Sequence, residues 1–266
     1  MLEVQTPLLG RFGVTDPSIQ AIESADGLLQ SSTEYHQKRL LSAAVGDNYT
    51  LGPVFRAGES GRLHNPEFTM LEWYRCGFDE RELMAEVAEL VDRVLGVADY
   101  QNRSATEMFA AVAQERGTSA GVNTADSSLS NALIASQCMD EAYSRLPMGR
   151  VFVVDFPAEQ AMLAQLDPAN PGLARRFELF VDRVEIANGY FELTDPVELR
   201  GRFDADNQAR SAAGDAPQAI DTNLIAAMTS GMPSCAGVAL GVDRLLMQQL
   251  GLTDIDQVQA FSWKRR

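Results

Sequence analysis

The stretch "VFRAGESGRLHNPEFTMLEWYR", residues 54–75, sets a carboxylate inside a strand and cations on the loop before it. Its second half, Phe68 to Arg75, alternates like a strand. Phe68, Met70, Glu72 and Tyr74 share one face, and Thr69, Leu71, Trp73 and Arg75 the other. Both faces carry large apolar groups, which predicts cover on both sides. A carboxylate between Met70 and Tyr74 is then costly unless it meets a cation, a hydrogen-bond donor or a proton, and a ligand amine would serve. Ahead of the strand, "RAGESGRLH" presents Arg56, Arg62 and His64 on a loop marked by Gly58 and Gly61. Such a hairpin would wrap a polyphosphate, its arginines neutralising charge that water no longer screens. Phe68 would offer its ring to a base or another flat group. The loop alone reads more readily as a surface hairpin with solvated arginines, but that reading leaves Glu72 unexplained.

A second constellation is "RRFELFVDRVEIANGYFELTD", 175–195. A turn at Asp182–Arg183 pairs 181 with 184, 180 with 185 and 178 with 187. Glu178 and Glu185 then become diagonal neighbours on one face, roughly 7 Å apart at the backbone. Two like charges that close favour a divalent ion, and carboxylates with phosphate oxygens suit magnesium. A pair of exposed strand acids beside arginines fits the same spacing. Asn188, Tyr190 and Glu192 form a further period-two set, which a regular strand would turn away from Glu185. One cavity for both sets requires a bulge, expected near Asn188–Gly189. In "SCAGVALGVDRLLM", 234–247, small residues let another group approach the backbone, and Arg244 falls in the first turn of an expected helix. A cation there opposes the helix dipole and gains by reaching towards an anion. The plainer reading pairs Arg244 with Asp243 or another surface acid. No Gly-Lys-Ser/Thr follows the glycines, so this is not a Walker-type loop.

The elements that must hold these groups follow from pattern. "LEVQTP" reads as a strand, residues 31–45 as a helix, and Val54–Ala57 with Phe68–Arg75 as an antiparallel pair. "DERELMAEVAELVDRVLG" predicts a helix with Asp79 and Glu82 as a capping box, Gly96 as its stop, and an apolar stripe through Leu83, Val87, Leu90, Val91 and Val94. Residues 97–150 turn rich in Ala, Ser and Asn and read as a mainly helical insertion, with Ser104 and Glu107 a second capping pair. "VFVVDF" is a strand, 175–194 a hairpin, and polar helices run to about residue 230. Strands do not alternate regularly with helices, which favours α+β over a doubly wound sheet. At 266 residues the chain suits one large domain or two small ones.

Of 266 residues, 45% are apolar and 22% charged, ordinary for a globular chain. The net charge of −15 argues against a broad nucleic-acid-binding surface. No apolar run approaches the roughly 20 residues of a membrane span, and "MLEVQTPLLG" lacks a signal peptide's features, so a cytoplasmic location is expected. Cys76, Cys138 and Cys235 are odd in number and scattered, and with only His36 and His64 available a zinc site is not expected.

Taken together, "FRAGESGRLHNPEFTMLEWYR", "GVALGVDRLLM" and "LEVQTP" resemble motifs 2, 3 and the end of motif 1 of class II aminoacyl-tRNA synthetases, specifically the lysyl branch. "HNPEFTMLEWYR", "EYH" with "KRLL", and "CAGVALGVDR" are most similar to the truncated lysyl-tRNA synthetase paralogues that ligate (R)-β-lysine to elongation factor P. The resemblance covers nearly the whole chain and is weakest at 97–150. It implies an antiparallel sheet flanked by helices, a single catalytic domain over residues 1–266 with no anticodon-binding domain, and ATP-dependent formation of an aminoacyl-adenylate from a lysine-like amino acid. The acceptor it implies is a lysine side chain of elongation factor P, with no stable tRNA binding. It implies further that Arg56 and Arg244 contact ATP phosphates and carry the catalysis, that Phe68 stacks on adenine, that His64 belongs to the ATP loop, and that Glu178 and Glu185 bind Mg2+. Ser32, Glu34, Glu72, Tyr74, Asn188, Tyr190, Glu192 and Ala239 match the substrate pocket, with Ala239 and Ser32 shaping it towards a β-amino acid. Two departures stand out. Motif 2 ordinarily reads Arg-x-Glu, whereas Arg56 is followed by Ala57, Gly58 and Glu59, so Glu59 is expected to take that acid's part in ATP binding. The long motif 1 helix that builds the family's homodimer interface is also absent from this sequence. A homodimer is still the expected assembly. The alternatives to set against this reading are tRNA aminoacylation and a non-catalytic, synthetase-like binding protein.

Overall fold

The computed structural model of the chain describes residues 1–117 and 129–266, with side chains described outside 118–136. Eight segments form one mixed sheet: β1 (Leu2–Glu3), β2 (Asn48–Phe55), β3 (Glu67–Cys76), β4 (Tyr100–Ser104), β5 (Arg150–Val154), β6 (Arg176–Val181), β7 (Val184–Phe191) and β8 (Cys235–Gly241). They lie in the order β1-β2-β3-β8-β7-β6-β5-β4. The six inner strands pair antiparallel, and β1 and β4 join the two edges in parallel. Helices α1 (Glu34–Ser42), α2 (Glu80–Leu95), α3 (Ala105–Glu115), α4 (Leu129–Ser144), α5 (Pro196–Ala213), α6 (Thr222–Thr229) and α7 (Val242–Gln249) flank it. This is the expected α+β architecture.

The two faces of the sheet differ in kind. On one, Trp73, Leu179, Val238 and Leu240 pack against Leu83, Val87 and Val91 of α2 and Leu245 and Met247 of α7. The three α2 side chains are fully buried at i, i+4 and i+8, and each stabilises by about 1.5–3 kcal/mol relative to exposure. The start of α2 is as the sequence predicts. Asp79 accepts from the Arg81 and Glu82 amides at 2.9 Å, and Glu82 accepts from the Asp79 amide at 2.9 Å. On the other face, α1 covers Tyr74 and Cys235 through Leu41. At the far end of that face, α3, α4 and the turn after α4 pack Phe109, Val112, Ala142 and Leu146 on Val151, Val153 and Phe180. Between these two covers lies a strip whose residues are polar.

Three expectations change. Within 97–150, Tyr100–Ser104 is a strand at the sheet edge rather than part of a helical insertion; residues 118–128 of that segment lie outside the described residues. The strand in "LEVQTP" is only Leu2–Glu3. The bulge in the β6–β7 hairpin also stands elsewhere. The chain turns at Asp182–Arg183, both with positive φ (47° and 67°), as a two-residue type I′ hairpin requires. Val181 faces Val184 and Phe180 faces Glu185, but Leu179 faces Ala187. Ile186 is therefore the extra residue, placed there because its side chain is buried in the α2-side core. Glu178 consequently faces Asn188 rather than Ala187, and Glu185, Asn188 and Tyr190 come to one side of the sheet.

Gly189, the position expected to bulge, has a different task. A Cβ there would stand 2.4 Å from Cζ of Phe177, its cross-strand partner, and 3.1 Å from the Gly237 carbonyl oxygen. Both neighbours are buried and fixed, so Gly189→Ala should lower stability by about 1–3 kcal/mol through overpacking. The midpoint of urea unfolding measures this, and a midpoint equal to wild type contradicts it.

Candidate active site

Over the polar strip lies a cavity of about 710 Å³. All fifteen residues to which the resemblance gives a role line it: Ser32, Glu34, Arg56, Glu59, His64, Phe68, Glu72, Tyr74, Glu178, Glu185, Asn188, Tyr190, Glu192, Ala239 and Arg244. Arg62, the third cation of the loop, does not, and donates instead to the Thr253 carbonyl at 3.0 Å. Strand register explains the convergence. Glu178, Asn188, Ala239 and Glu72 form one row across β6, β7, β8 and β3. Arg176, Tyr190, Gly237 and Tyr74 form the next. Cross-strand partners point to the same side, so two rows of four become a floor. The floor closes because Gly237 lacks a side chain: a Cβ there would lie 2.3 Å from Cε1 of Tyr74 and 2.4 Å from Oε1 of Glu192.

One end of the cavity is acidic. Glu72 is buried, yet its oxygens are met by protein donors. Oε2 accepts from the Ser32 hydroxyl at 2.9 Å and the Thr33 amide at 3.0 Å, and Oε1 accepts from the Tyr74 hydroxyl at 2.9 Å. Three neutral donors, two of them at the start of α1, thus satisfy a carboxylate for which the sequence left cation, donor and proton open. Burial, and then the neighbouring Glu34, push Glu72 above the ordinary carboxylate range. Glu34 and Glu192 meet a cation the sequence reading did not single out. Lys38 Nζ lies 2.6 Å from Glu34 Oε1 and 2.6 Å from Glu192 Oε2, with its side chain 1% exposed. Burial alone would lower the Lys38 pKa, but Glu192 and Glu34 hold it above the usual lysine value. Burial pushes Glu192 upward, with Lys38 pulling the other way. Three carboxylates around one internal ammonium leave two negative charges uncompensated when all are ionised.

The other end is cationic and aromatic. Arg56 spans from the Ser31 carbonyl, 3.3 Å from its Nε, to Glu59 at 3.6 Å, with its guanidinium 5.2 Å from the centre of the Phe68 ring. Arg244 donates to the carbonyls of Leu63 (3.2 Å) and Glu185 (3.0 Å) and to the Glu185 carboxylate (3.3 Å). It does not pair with Asp243, which instead accepts from the Thr69 amide at 2.6 Å. Arg244 Nη2 lies 2.6 Å from His64 Nε2. A guanidinium only donates, so His64 accepts there as neutral imidazole with its hydrogen on Nδ1. Burial, and then Arg244, lower the His64 pKa, consistent with that form.

Glu178 and Glu185 stand between the two ends. Glu178 is buried against Arg176, which donates to it and also, at 3.3 Å, to the Asn188 side-chain oxygen. Glu185 is half-exposed and paired with Arg244. Among the described residues no three His, Cys, Asp or Glu side chains gather as a metal cage. Two hard oxygen donors on one face nevertheless suit a magnesium ion that takes its remaining ligands from phosphate and water.

Lys38 and Arg176 are the groups that sequence reasoning missed. Lys38 sits four residues after Glu34 on a helix, the spacing of an ordinary exposed ion pair. Arg176 sits two residues before Glu178 on a strand, a same-face signal that was legible only as arginines near the acids.

The family model described as class II tRNA synthetases (D, K and N) matches residues 1–265. Among curated proteins, the elongation factor P–(R)-β-lysine ligase of Vibrio cholerae serotype O1 is 41% identical over 290 aligned positions, covering 100% of this chain and 90% of the relative. Ligases of the same name from Vibrio vulnificus (39% identical, 98% of this chain and 88% of the relative) and Klebsiella pneumoniae subsp. pneumoniae (40%, 100% and 89%) are similar across the same span.

The raised Glu72 pKa has a consequence for stability. Folded Glu72 holds its proton more tightly than unfolded, so its contribution to stability is present below the ordinary carboxylate pKa and is lost as pH rises through the raised value. Glu72→Gln removes that loss. Paired urea unfolding at about pH 4 and about pH 7 should therefore show the variant gaining on wild type at the higher pH. A pH-independent difference between the two proteins contradicts the raised pKa.

Proposed function

The chain belongs to the family of class II tRNA synthetases, and from that premise we propose that it activates (R)-β-lysine, or a similar diamino acid, with ATP and passes it to a lysine side chain of elongation factor P. The observation that carries this reading is the division of charge along the cavity. Three carboxylates and one internal ammonium stand at one end; two arginines, an imidazole and an aromatic ring stand at the other. A substrate with two ammonium groups and one carboxylate, set against a triphosphate, matches both ends at once.

In this reading Glu34, Glu72 and Glu192 receive the ammonium groups, and Tyr74, Asn188, Tyr190, Ser32 and Ala239 shape the space around the carbon chain. The substrate carboxylate then points at the triphosphate. Its oxygen bonds to the α-phosphorus as the bond from that phosphorus to the bridging oxygen breaks, and pyrophosphate leaves with the electron pair. Arg56 and Arg244 stand where that charge develops and stabilise it electrostatically. Phe68 takes the adenine, Glu59 orients Arg56, and His64 orients Arg244. Glu178 and Glu185 would hold Mg2+, which when bound neutralises phosphate charge. In the second half, the neutral amine of the acceptor lysine attacks the acyl carbon, AMP leaves, and the amine's proton passes to solvent. No side chain needs to act as nucleophile; positioning supplies much of the rate.

We read residues 1–266 as one catalytic domain working in the cytoplasm, where its acceptor functions. No described helix is long and apolar enough to cross a membrane. A homodimer is the assembly we propose, supported by Leu2 and Leu51, exposed by 56% and 53% on the adjoining strands β1 and β2 at one sheet edge.

The test is the intact mass of elongation factor P after incubation with the protein, ATP, Mg2+ and (R)-β-lysine. A β-lysyl mass increase that requires ATP, and that falls by at least about a hundredfold in rate with Arg244→Ala, is expected. Acylation of tRNA without any change in elongation factor P overturns the acceptor assignment.

A further inference from the structure

Lys38 is buried, touches two acids of the cavity and does not itself line the cavity. A helical Glu–Lys pair four residues apart is ordinary on a surface, where it is worth little. Here the same ammonium also reaches Glu192, just beyond the end of β7, and so ties α1 to the strand that floors the site. Each acid gives Lys38 one oxygen. Among the described residues, the second oxygens, Glu34 Oε2 and Glu192 Oε1, accept no hydrogen bond from the protein. Glu72, by contrast, has both oxygens engaged by Ser32, Thr33 and Tyr74.

We propose that Lys38 is a positioning residue of the amino-acid pocket: it fixes Glu34 and Glu192 in place and aims their free oxygens at the two ammonium groups of a diamino acid. This rests on the substrate reading above and deepens it. The groups that face Lys38 and its partners are few. Its own helix contributes Glu34 and Tyr35, β7 contributes Tyr190, the segment after it contributes Glu192, and β3 contributes Glu72 and Tyr74. From β8 comes the Cys235 thiol. The β2 strand presents Asn48 and Thr50 on that face, neither ionisable. The segment leading into α6 brings Asp221, whose charge acts on His36 instead. No other cation in this set opposes proton uptake by the acids. Without Lys38, the buried Glu192 would lose the one cation that holds its proton affinity down and would still face Glu34 and Glu72.

The experiment is amino-acid-dependent exchange between ATP and pyrophosphate, followed against pH in wild type, Lys38→Met and Lys38→Arg. Wild-type exchange that requires a diamino acid is the control for the substrate reading, and its absence refutes that reading rather than this one. With the control satisfied, Lys38→Met should raise the KM for the diamino acid by at least about tenfold. The KM for ATP should stay within about twofold of wild type, because the cationic end is untouched. The acidic limb of kcat/KM for the amino acid should move to higher pH. A Lys38→Met protein that loses only thermal stability, with KM and acidic limb unchanged, assigns Lys38 to the scaffold and overturns the proposal. If Lys38→Met does not fold, Lys38→Arg decides. The broader, planar cation keeps the charge but re-aims both carboxylates, so the limb should stay in place while KM rises. An unchanged KM in Lys38→Arg overturns the aiming role.

Discussion

Gathering three carboxylates at one cavity end, Glu72 and Glu192 buried and Glu34 beside them, is the constraint around which the rest of the structure is arranged. An isolated carboxylate taken from water loses many kilocalories of hydration, and each neighbouring acid makes the next harder to ionise. The chain answers with two different devices. Glu72 is met by neutral donors, the Ser32 hydroxyl, the Thr33 amide and the Tyr74 hydroxyl. Glu34 and Glu192 are met by the ammonium of Lys38. Both devices depend on α1. The residues leading into it, Ser32 and the N-cap Thr33, supply the donors, and its second turn supplies Lys38. A shift of α1 along the sheet would orphan all three acids together, so the helix is fixed by charge as much as by the contact of Leu41 with Tyr74 and Cys235.

That polar end does not hold itself together. Pairs buried at such cost contribute little net stability, since desolvation offsets most of the attraction. Stability comes from the opposite face, where α2 and α7 close over Trp73, Leu179, Val238 and Leu240. The same strands therefore serve two purposes through their alternation, apolar side chains to α2 and α7, polar ones to the cavity. Ile186 is where this division is negotiated. Its side chain belongs to the apolar side, and inserting it as a bulge brings Glu185 onto the cavity side with Asn188 and Tyr190. Gly237 solves the remaining conflict of space, letting Tyr74 and Glu192 meet above a backbone that no other residue would leave open.

Much of this was legible in the sequence because it depends on local rules. The alternation of Phe68–Arg75, the capping box at Asp79 and Glu82, and the turn at Asp182–Arg183 each follow from neighbours in the chain. What was not legible depends on long-range placement. Lys38 has the spacing of a surface ion pair, and only the approach of Glu192 from a distant strand buries it. The bulge was required by the pattern of Glu185, Asn188, Tyr190 and Glu192, but its position was decided by which residue the α2-side core could accept. Tyr100–Ser104 carries Gln, Asn and Arg, a poor strand by composition. Parallel pairing to β5 at the edge makes it one, as its middle residues remain exposed.

The cationic end illustrates how much arrangement precedes any ligand. Arg244 is fixed by the carbonyls of Leu63 and Glu185, from the loop before β3 and from β7. A guanidinium held this way loses less side-chain freedom on meeting an anion than a solvated one would. The His64 ring can sit 2.6 Å from it only as a neutral acceptor. Protonation would place two cations in contact, so the lowered His64 pKa and the fixed Arg244 are one arrangement seen from two sides. Arg56 is held more loosely, through one carbonyl contact, a 3.6 Å pair with Glu59 and the face of Phe68. Gly58 intervenes with a positive φ of 76° and open space around it, so the backbone between Arg56 and Glu59 turns where a side chain would be strained. The turn brings an acid three residues away back to Arg56, which explains how a loop without the usual Arg-x-Glu spacing still presents a paired arginine to the cavity.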